Sequence, residues 1–140
     1  MTASIDMTWL LDDLTVRVPE IERVVMLSRD GLAVSSSSSL SREEAERLAA
    51  IAAGFYSLAR GSAASLGGEQ TRHIIVEMTG RLLFVAAAGP DGCIAAVAGT
   101  GARLGVVAYE ITLLARRAAA HMPGPAQPGP RRAVFGGGMA

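Results

Sequence analysis

The sequence has little of several features that mark particular classes of protein. Its single cysteine, Cys93, excludes an internal disulfide and any zinc site built from several cysteines. No uncharged run reaches the ~18 apolar residues that a membrane-spanning helix needs. Residues 1–14 contain acids but no base, unlike a secretory signal peptide. We therefore expect a cytoplasmic protein that does not insert directly into membranes.

Neither sign of charge dominates, and lysine is absent. All 13 basic residues are arginines, and 13 acidic residues balance them. Without residues 122–140, which include Arg131 and Arg132, eleven bases face thirteen acids, a net charge of −2. A nucleic-acid partner would call for a clustered basic face, so we expect none.

The chain is long enough for one domain with one core, and half of its residues are apolar. We predict a folded domain over residues 1–121. Residues 122–140 are rich in proline and glycine, a composition typical of a disordered tail.

The spacing of apolar residues predicts three helices and five strands. The helices are expected at 7–18, from a capping box at Ser41 to Leu66, and at 102–120. The strands are expected at 22–28, 32–35, 71–78, 81–88 and 93–98. Short connections make neighbouring strands antiparallel, and the last two strands lack apolar/polar alternation, which indicates burial on both faces. The predicted fold is α/β (α+β), in the order α-β-β-α-β-β-β-α, with one five-stranded antiparallel sheet between helices.

The second predicted helix carries two rows of residues without charge. The row expected to face the sheet comprises Leu48, Ile51, Ala52, Phe55, Leu58, Ala59, Ser62 and Leu66. The other row consists of small residues. The two glycines in this helix, Gly54 and Gly61, each lower helix stability by ~1 kcal/mol relative to alanine. An interior glycine usually has a packing reason. A second copy of the same helix across a two-fold axis is the simplest partner. The alternative is a composition rich in alanine and glycine, with no partner.

The strand predicted at 71–78 offers a second contact for another copy. If this strand lies at a sheet edge, its unpaired backbone is a template for strand pairing, and a symmetry mate would cover it. The predicted homodimer interface comprises Ala50, Ala53, Gly54, Ser57, Gly61, Ile74 and Val76.

Five segments in the same order resemble bacterial roadblock/dynein-light-chain-type domains, especially actinobacterial ones. They are residues 9–14 followed by Val18-Pro19, then 27–32, 47–54, 75–78 and 104–110. The resemblance covers residues 6–119. It implies the fold described above and a homodimer through the middle helix and third strand. It also implies partnership with a Ras-like small GTPase as regulator or scaffold, in operons that also encode a sensor-kinase-like protein.

The family has no catalytic motif to carry over, and the residues indicate no catalytic, metal or cofactor site. The glycines at 99, 101 and 105 do not match the dinucleotide fingerprint and indicate a strand-to-helix turn. Cys93 is expected to be a buried small hydrophobe, because the two histidines, His73 and His121, lie on other elements.

Several exposed polar residues carry two interpretations. Asp12 and Asp13 are expected on a solvated face, and the serines at 35–39 in a flexible loop that a kinase could also modify. Trp9 is expected at the core margin, with an exposed anchor as the alternative. Arg47 and Arg60 are candidates for contact with an acidic GTPase surface, although nothing marks them for that role and solubility is the favoured explanation.

The leading function is therefore a non-enzymatic homodimer that binds a Ras-like GTPase, with or without an effect on GTP hydrolysis. One alternative is a structural adaptor between a sensor-kinase-like protein and the GTPase. Another is a small-molecule-sensing domain, which would need a cavity lined by convergent polar groups.

Overall fold

The computed structural model describes residues 6–120. It has the predicted order of elements. In chain order they are α1 (Thr8–Arg17), β1 (Ile21–Ser28), β2 (Ala33–Ser36), α2 (Arg42–Leu66), β3 (His73–Met78), β4 (Arg81–Ala87), β5 (Gly92–Gly99) and α3 (Leu104–Ala119). The predicted tail at 122–140 and His121 lie outside the described residues.

The five strands form one antiparallel sheet in the order β2-β1-β5-β4-β3. The last strand, β5, therefore sits at the centre, between β1 and β4. The placement of β3 at one edge is confirmed. Its outer backbone groups have no partner strand in residues 6–120.

Helices cover both faces of the sheet, as predicted. α1 and α3 pack on one face, over a cluster that includes the fully buried Phe84, Ile94 and Met26. α2 packs on the other face, over a cluster that includes Val25 and Val85. Because β4 and β5 contribute to both clusters, they are apolar without alternation. Within residues 6–120, no helix is both long and apolar enough to cross a membrane.

The ends of α2 follow the local signals in the sequence. The Ser41 hydroxyl accepts from the backbone N–H of Glu44, and the Glu44 carboxylate accepts from the backbone N–H of Ser41. The bond from the Ser41 N–H lowers the pKa of Glu44, because it stabilises the charged carboxylate. At the other end Gly67 has a φ of +82°, the left-handed conformation that closes many helices.

The prediction of which side of α2 faces the sheet was right for Leu48 and Ala52 but wrong for Ile51, Phe55, Leu58 and Leu66. The buried residues are Ala45, Ala49 and Ala52, whereas Phe55 is 37% and Leu58 is 71% exposed. On this face the sheet projects Val25, Leu27, Leu83 and Val85, all buried. Large side chains on the sheet leave little room above them, so alanines make the fully buried contacts of the helix. Leu48 and Tyr56 are partly buried at the margin of the cluster, and Ile51, Phe55 and Leu58 point outward.

Two hydroxyl groups of the serine segment bond to distant parts of the chain; Ser35 and Ser36 belong to β2, whereas residues 37–39 lie in a loop as predicted. Ser35 and Ser37 are buried. The hydroxyl of Ser35 accepts from the N–H of Met7 at 2.9 Å, and that of Ser37 accepts from the N–H of Val24 at 3.1 Å. These bonds satisfy buried backbone donors, which otherwise cost free energy.

Asp12 also differs from the expectation of a solvated side chain. Its carboxylate accepts from the N–H of Ser38 at 2.7 Å and from the Ser38 hydroxyl at 2.5 Å. These bonds tie α1 to the connection between β2 and α2. Its neighbour Asp13 is exposed, as predicted, and it pairs with Arg17 one turn later.

Replacing Asp12 with alanine should lower the free energy of unfolding by about 1–2 kcal/mol, because two hydrogen bonds to a charged acceptor are lost. Asp13→Ala is the matched control and should cost less than about 0.5 kcal/mol, since it removes only an exposed ion pair. Urea denaturation of both variants measures the difference. Equal costs would contradict a structural role for the Asp12 bonds.

Candidate functional site

The most distinctive exposed surface of the described residues is the side of α2 that faces away from the sheet. We call it the outer face of α2 and define it by Ile51, Gly54, Phe55, Leu58 and Gly61. Ile51 is 46% exposed, and the two glycines are exposed as well. Large apolar side chains thus lie next to glycines, which have no side chain, on one surface of the helix. An apolar surface of this kind usually marks an interaction site.

The two glycines have no role in packing within residues 6–120. A Cβ atom at either Gly54 or Gly61 would meet nothing within 4 Å. Alanine would therefore fit and would favour the helix by about 1 kcal/mol. Glycine at these positions is explained if another molecule approaches the helix backbone closely.

The β3 edge lies beside this helix. Ile74 and Val76 point toward α2 and are partly buried in the cluster beneath it. Ile75 and Met78 are 39% and 49% exposed. The edge thus combines unpaired backbone groups with partly exposed apolar side chains, the combination that favours strand pairing.

The predicted interface residues divide into two groups. Ala50, Gly54, Ser57 and Gly61 are exposed and accessible to another molecule. Ala53 is partly buried and packs inside the subunit, where a side chain on Gly31 would bring its Cβ within 3.4 Å of the Ala53 methyl.

Sequence reasoning left Ile51, Phe55 and Leu58 out of the interface because their helical spacing matched a core stripe. The missed signal was the row of buried alanines, Ala45, Ala49 and Ala52, which has the same helical spacing.

The two candidate arginines are both exposed on α2 but lie apart. They are separated by more than three helical turns, about 20 Å along the axis. The Arg60 guanidinium lies 6.0 Å from the centre of the Tyr56 ring, within reach of a cation–π contact. Arg47 makes no ion pair within residues 6–120.

The buried thiol of Cys93 is unsuited to nucleophilic chemistry. Burial raises its pKa to about 11, because the low-dielectric surroundings disfavour the thiolate. His73 stacks on Phe84, with ring centres 5.0 Å apart, on the face of the sheet away from the cluster that holds Cys93. Cys93 thus packs as a small hydrophobe, as predicted.

Trp9 does not lie at the core margin, since 61% of it is exposed on α1. That prediction was wrong. α1 buries Leu10, Leu11 and Leu14, and Trp9 falls on the opposite side of the helix.

Two grooves in residues 6–120 are open to solvent. One, of about 920 Å³, lies between the C-terminal half of α2 and the turn after β4. The other, of about 560 Å³, lies between β3 and α3.

Comparison with known proteins identifies the family to which this fold belongs. The Roadblock/LC7 domain family matches residues 7–98. The chain belongs to the Roadblock/LC7 family. A search of curated proteins found no match.

Solved Roadblock/LC7 structures support this assignment. The chain is similar to a Roadblock/LC7 domain from Streptomyces avermitilis, with 37% identity and a TM-score of 0.80, over 84% of this chain and 98% of that one. It also matches MglB from Myxococcus xanthus with 18% identity and a TM-score of 0.73, over 81% and 85% of the two chains. A structure described as MglB with a tetrameric arrangement matches at 19% identity and a TM-score of 0.72, over 81% and 85%. The two MglB likenesses concern the fold alone.

Proposed function

We propose that this Roadblock/LC7 protein is a homodimer that binds a Ras-like small GTPase and regulates or anchors it. In this proposal it contributes no catalytic residue of its own. The homodimer is supported by the outer face of α2, where glycines without a packing neighbour lie beside the exposed side chains of Ile51, Phe55 and Leu58. The binding of a GTPase is proposed from the family to which the chain belongs.

In the proposed dimer two α2 helices pack against each other across a two-fold axis. Leu58 of each subunit would fill the space over a glycine of the other, because glycine lets helix backbones approach and brings many dispersion contacts into range. Antiparallel pairing of the two β3 edges would join the two sheets. Both contacts are self-complementary, as a two-fold interface requires.

The GTPase is proposed to contact exposed arginines of α2. Arg47 and Arg60 present guanidinium groups that suit an acidic protein surface. Their separation means that each would meet its own acidic group. A role as arginine finger, which is worth up to ~10⁵ in rate, is not part of the proposal.

Binding should weaken by about tenfold when either arginine is replaced by glutamate, because like charges then face each other. Arg42→Glu is the matched control, since Arg42 is exposed on the same helix and pairs only with Glu46. The measurement is a titration with Ras-like GTPases from the same genome, together with their GTP hydrolysis rates. Absence of binding to every such GTPase would contradict the proposal.

Hydrolysis distinguishes the two forms of the proposal. A change in GTP turnover on saturation with this protein indicates a regulator. Binding with unchanged turnover indicates an adaptor, for which a sensor-kinase-like protein is the proposed second partner. The small-molecule-sensing alternative has less support, because the grooves beside α2 and α3 are open, and small-molecule sites are usually enclosed and apolar.

A further inference from the structure

A groove of about 560 Å³ runs between the C-terminal half of α3 and the start of β3. It lies on the face of the sheet opposite α2, and we call it the α3–β3 groove. Arg72 and His73 belong to one wall, and Thr112 and Arg116 to the other. The small, buried side chains of Ala86 and Ala115 line the bottom of the groove.

The charge of the groove is entirely positive. None of its lining residues is an aspartate or a glutamate. Arg72 and Arg116 form no ion pair within residues 6–120, whereas Arg17, Arg81 and Arg103 each hold a carboxylate within 3.5 Å. Two exposed arginines that line the groove without an ion pair are therefore available to a negatively charged group.

Neutral hydrogen-bonding groups surround the two arginines. The side chains of Gln70, Thr71 and Thr112 line the groove and make no hydrogen bond within the described residues. His73 stacks by its face on Phe84, a contact that fixes the ring beside the groove. Carboxylates accept hydrogen bonds from amide, hydroxyl and guanidinium donors alike, and the guanidinium bonds are the strongest.

The shape and lining of the groove favour a protein segment over a small molecule. Small-molecule sites are mostly enclosed and apolar, whereas this groove is open and lined by charged and polar side chains. The chain's own C-terminal residues 121–140 do not have the complementary charge, because they contain two arginines and no acid. The ligand is therefore expected from another protein.

We infer that the α3–β3 groove binds an extended acidic segment of a partner protein, with Arg72 and Arg116 each holding a carboxylate. The site lies across the sheet from the proposed α2 contact of the dimer, and its β3 wall belongs to the strand proposed to pair with a second copy. It is independent of the proposed contacts of Arg47 and Arg60 with a GTPase.

The test is an NMR titration of the full, ¹⁵N-labelled chain with a short peptide of alternating glutamate and serine. Amide shifts should concentrate at residues 70–73 and 112–116, and the same peptide with glutamine in place of glutamate should cause none. Arg72→Gln and Arg116→Gln should each weaken binding by about fivefold or more, because each removes a charge-assisted hydrogen bond. Arg42→Gln changes the net charge equally but lies on α2, so it should leave binding unchanged.

Three outcomes would overturn the inference. Equal weakening by Arg42→Gln would show that the peptide responds only to net charge. Shifts confined to other parts of the chain would place the acidic site elsewhere. Inorganic phosphate that causes the same shifts at lower concentration than the peptide would mean that the groove is a phosphate site. GTPase binding is measured in a separate experiment, so a failure to bind a GTPase would not change the outcome of this peptide titration.

Discussion

Leu58→Arg is expected to convert the protein from a dimer into a monomer. Leu58 is 71% exposed in the single subunit, so the substitution should leave the fold unchanged. In the proposed dimer each arginine would lie over a glycine of the other subunit without an acidic partner, and burying unpaired charge costs several kcal/mol. We expect the dissociation constant to rise by about 100-fold or more, equivalent to about 3 kcal/mol. Sedimentation velocity across a concentration series measures this change.

Val16→Arg is the matched control for this experiment. Val16 is 77% exposed, but it lies on α1, on the other side of the sheet from α2. The control should remain a dimer, and circular dichroism should show both variants folded. A folded wild-type particle of 14.4 kDa at micromolar concentration would contradict the dimer, as would a dimer that Leu58→Arg does not weaken.

Gly61→Ala tests the same surface through two effects of opposite sign. A Cβ at Gly61 meets nothing within the subunit, so alanine should stabilise the isolated subunit by about 1 kcal/mol through its helix propensity. If the helix of a second copy lies against Gly61, the added methyl should weaken the dimer. Urea denaturation in the monomeric Leu58→Arg background measures the first effect, and sedimentation of the single variant measures the second. An increase in both the free energy of unfolding and the affinity of the dimer would mean that no second helix packs against Gly61.

The order and pairing of the elements could be predicted from sequence because local signals determined them. The Ser41 capping box, the proline after α1 and the short turns between β3, β4 and β5 all act within a few residues. The lack of alternation in β4 and β5 correctly indicated helices on both faces. These inferences needed no knowledge of distant contacts.

The orientation of α2 could not be predicted in the same way. The usual argument assigns the largest apolar side chains of a helix to the core. Here the sheet supplies the bulk through Leu27, Leu83 and Val85, so the fully buried residues of the helix are alanines, and Phe55 and Leu58 face outward. The choice between two apolar sides depends on the volume available above the sheet, which no local pattern encodes. The same limit applies to Ser35 and Ser37, whose hydroxyls bond to groups far along the chain.

Substitutions of Phe84 in β4 and Phe55 in α2 compare the contributions of the core and of the outer face of α2 to stability and to self-association. Phe84 is completely buried between the sheet and α3, whereas Phe55 is 37% exposed on the outer face of α2. In the monomeric Leu58→Arg background, Phe84→Ala should lower the free energy of unfolding by about 3–5 kcal/mol, through lost burial and the cavity left behind. Phe55→Ala should cost less than about 1.5 kcal/mol there, because much of the ring is already in water.

The same pair of substitutions in the otherwise unchanged chain should reverse this ranking for self-association. Phe55→Ala should raise the dissociation constant of the dimer by about tenfold or more, as expected when an aromatic side chain at the centre of an interface is truncated. Phe84→Ala should leave the dissociation constant unchanged wherever the variant remains folded, because its ring lies under α3 on the other face of the sheet. Equal effects of both substitutions on stability and on association would mean that the outer face of α2 is ordinary surface. A selective effect of Phe55 on association would assign the exposed apolar side of α2 to a second copy of the chain, because no other molecule is present in the measurement.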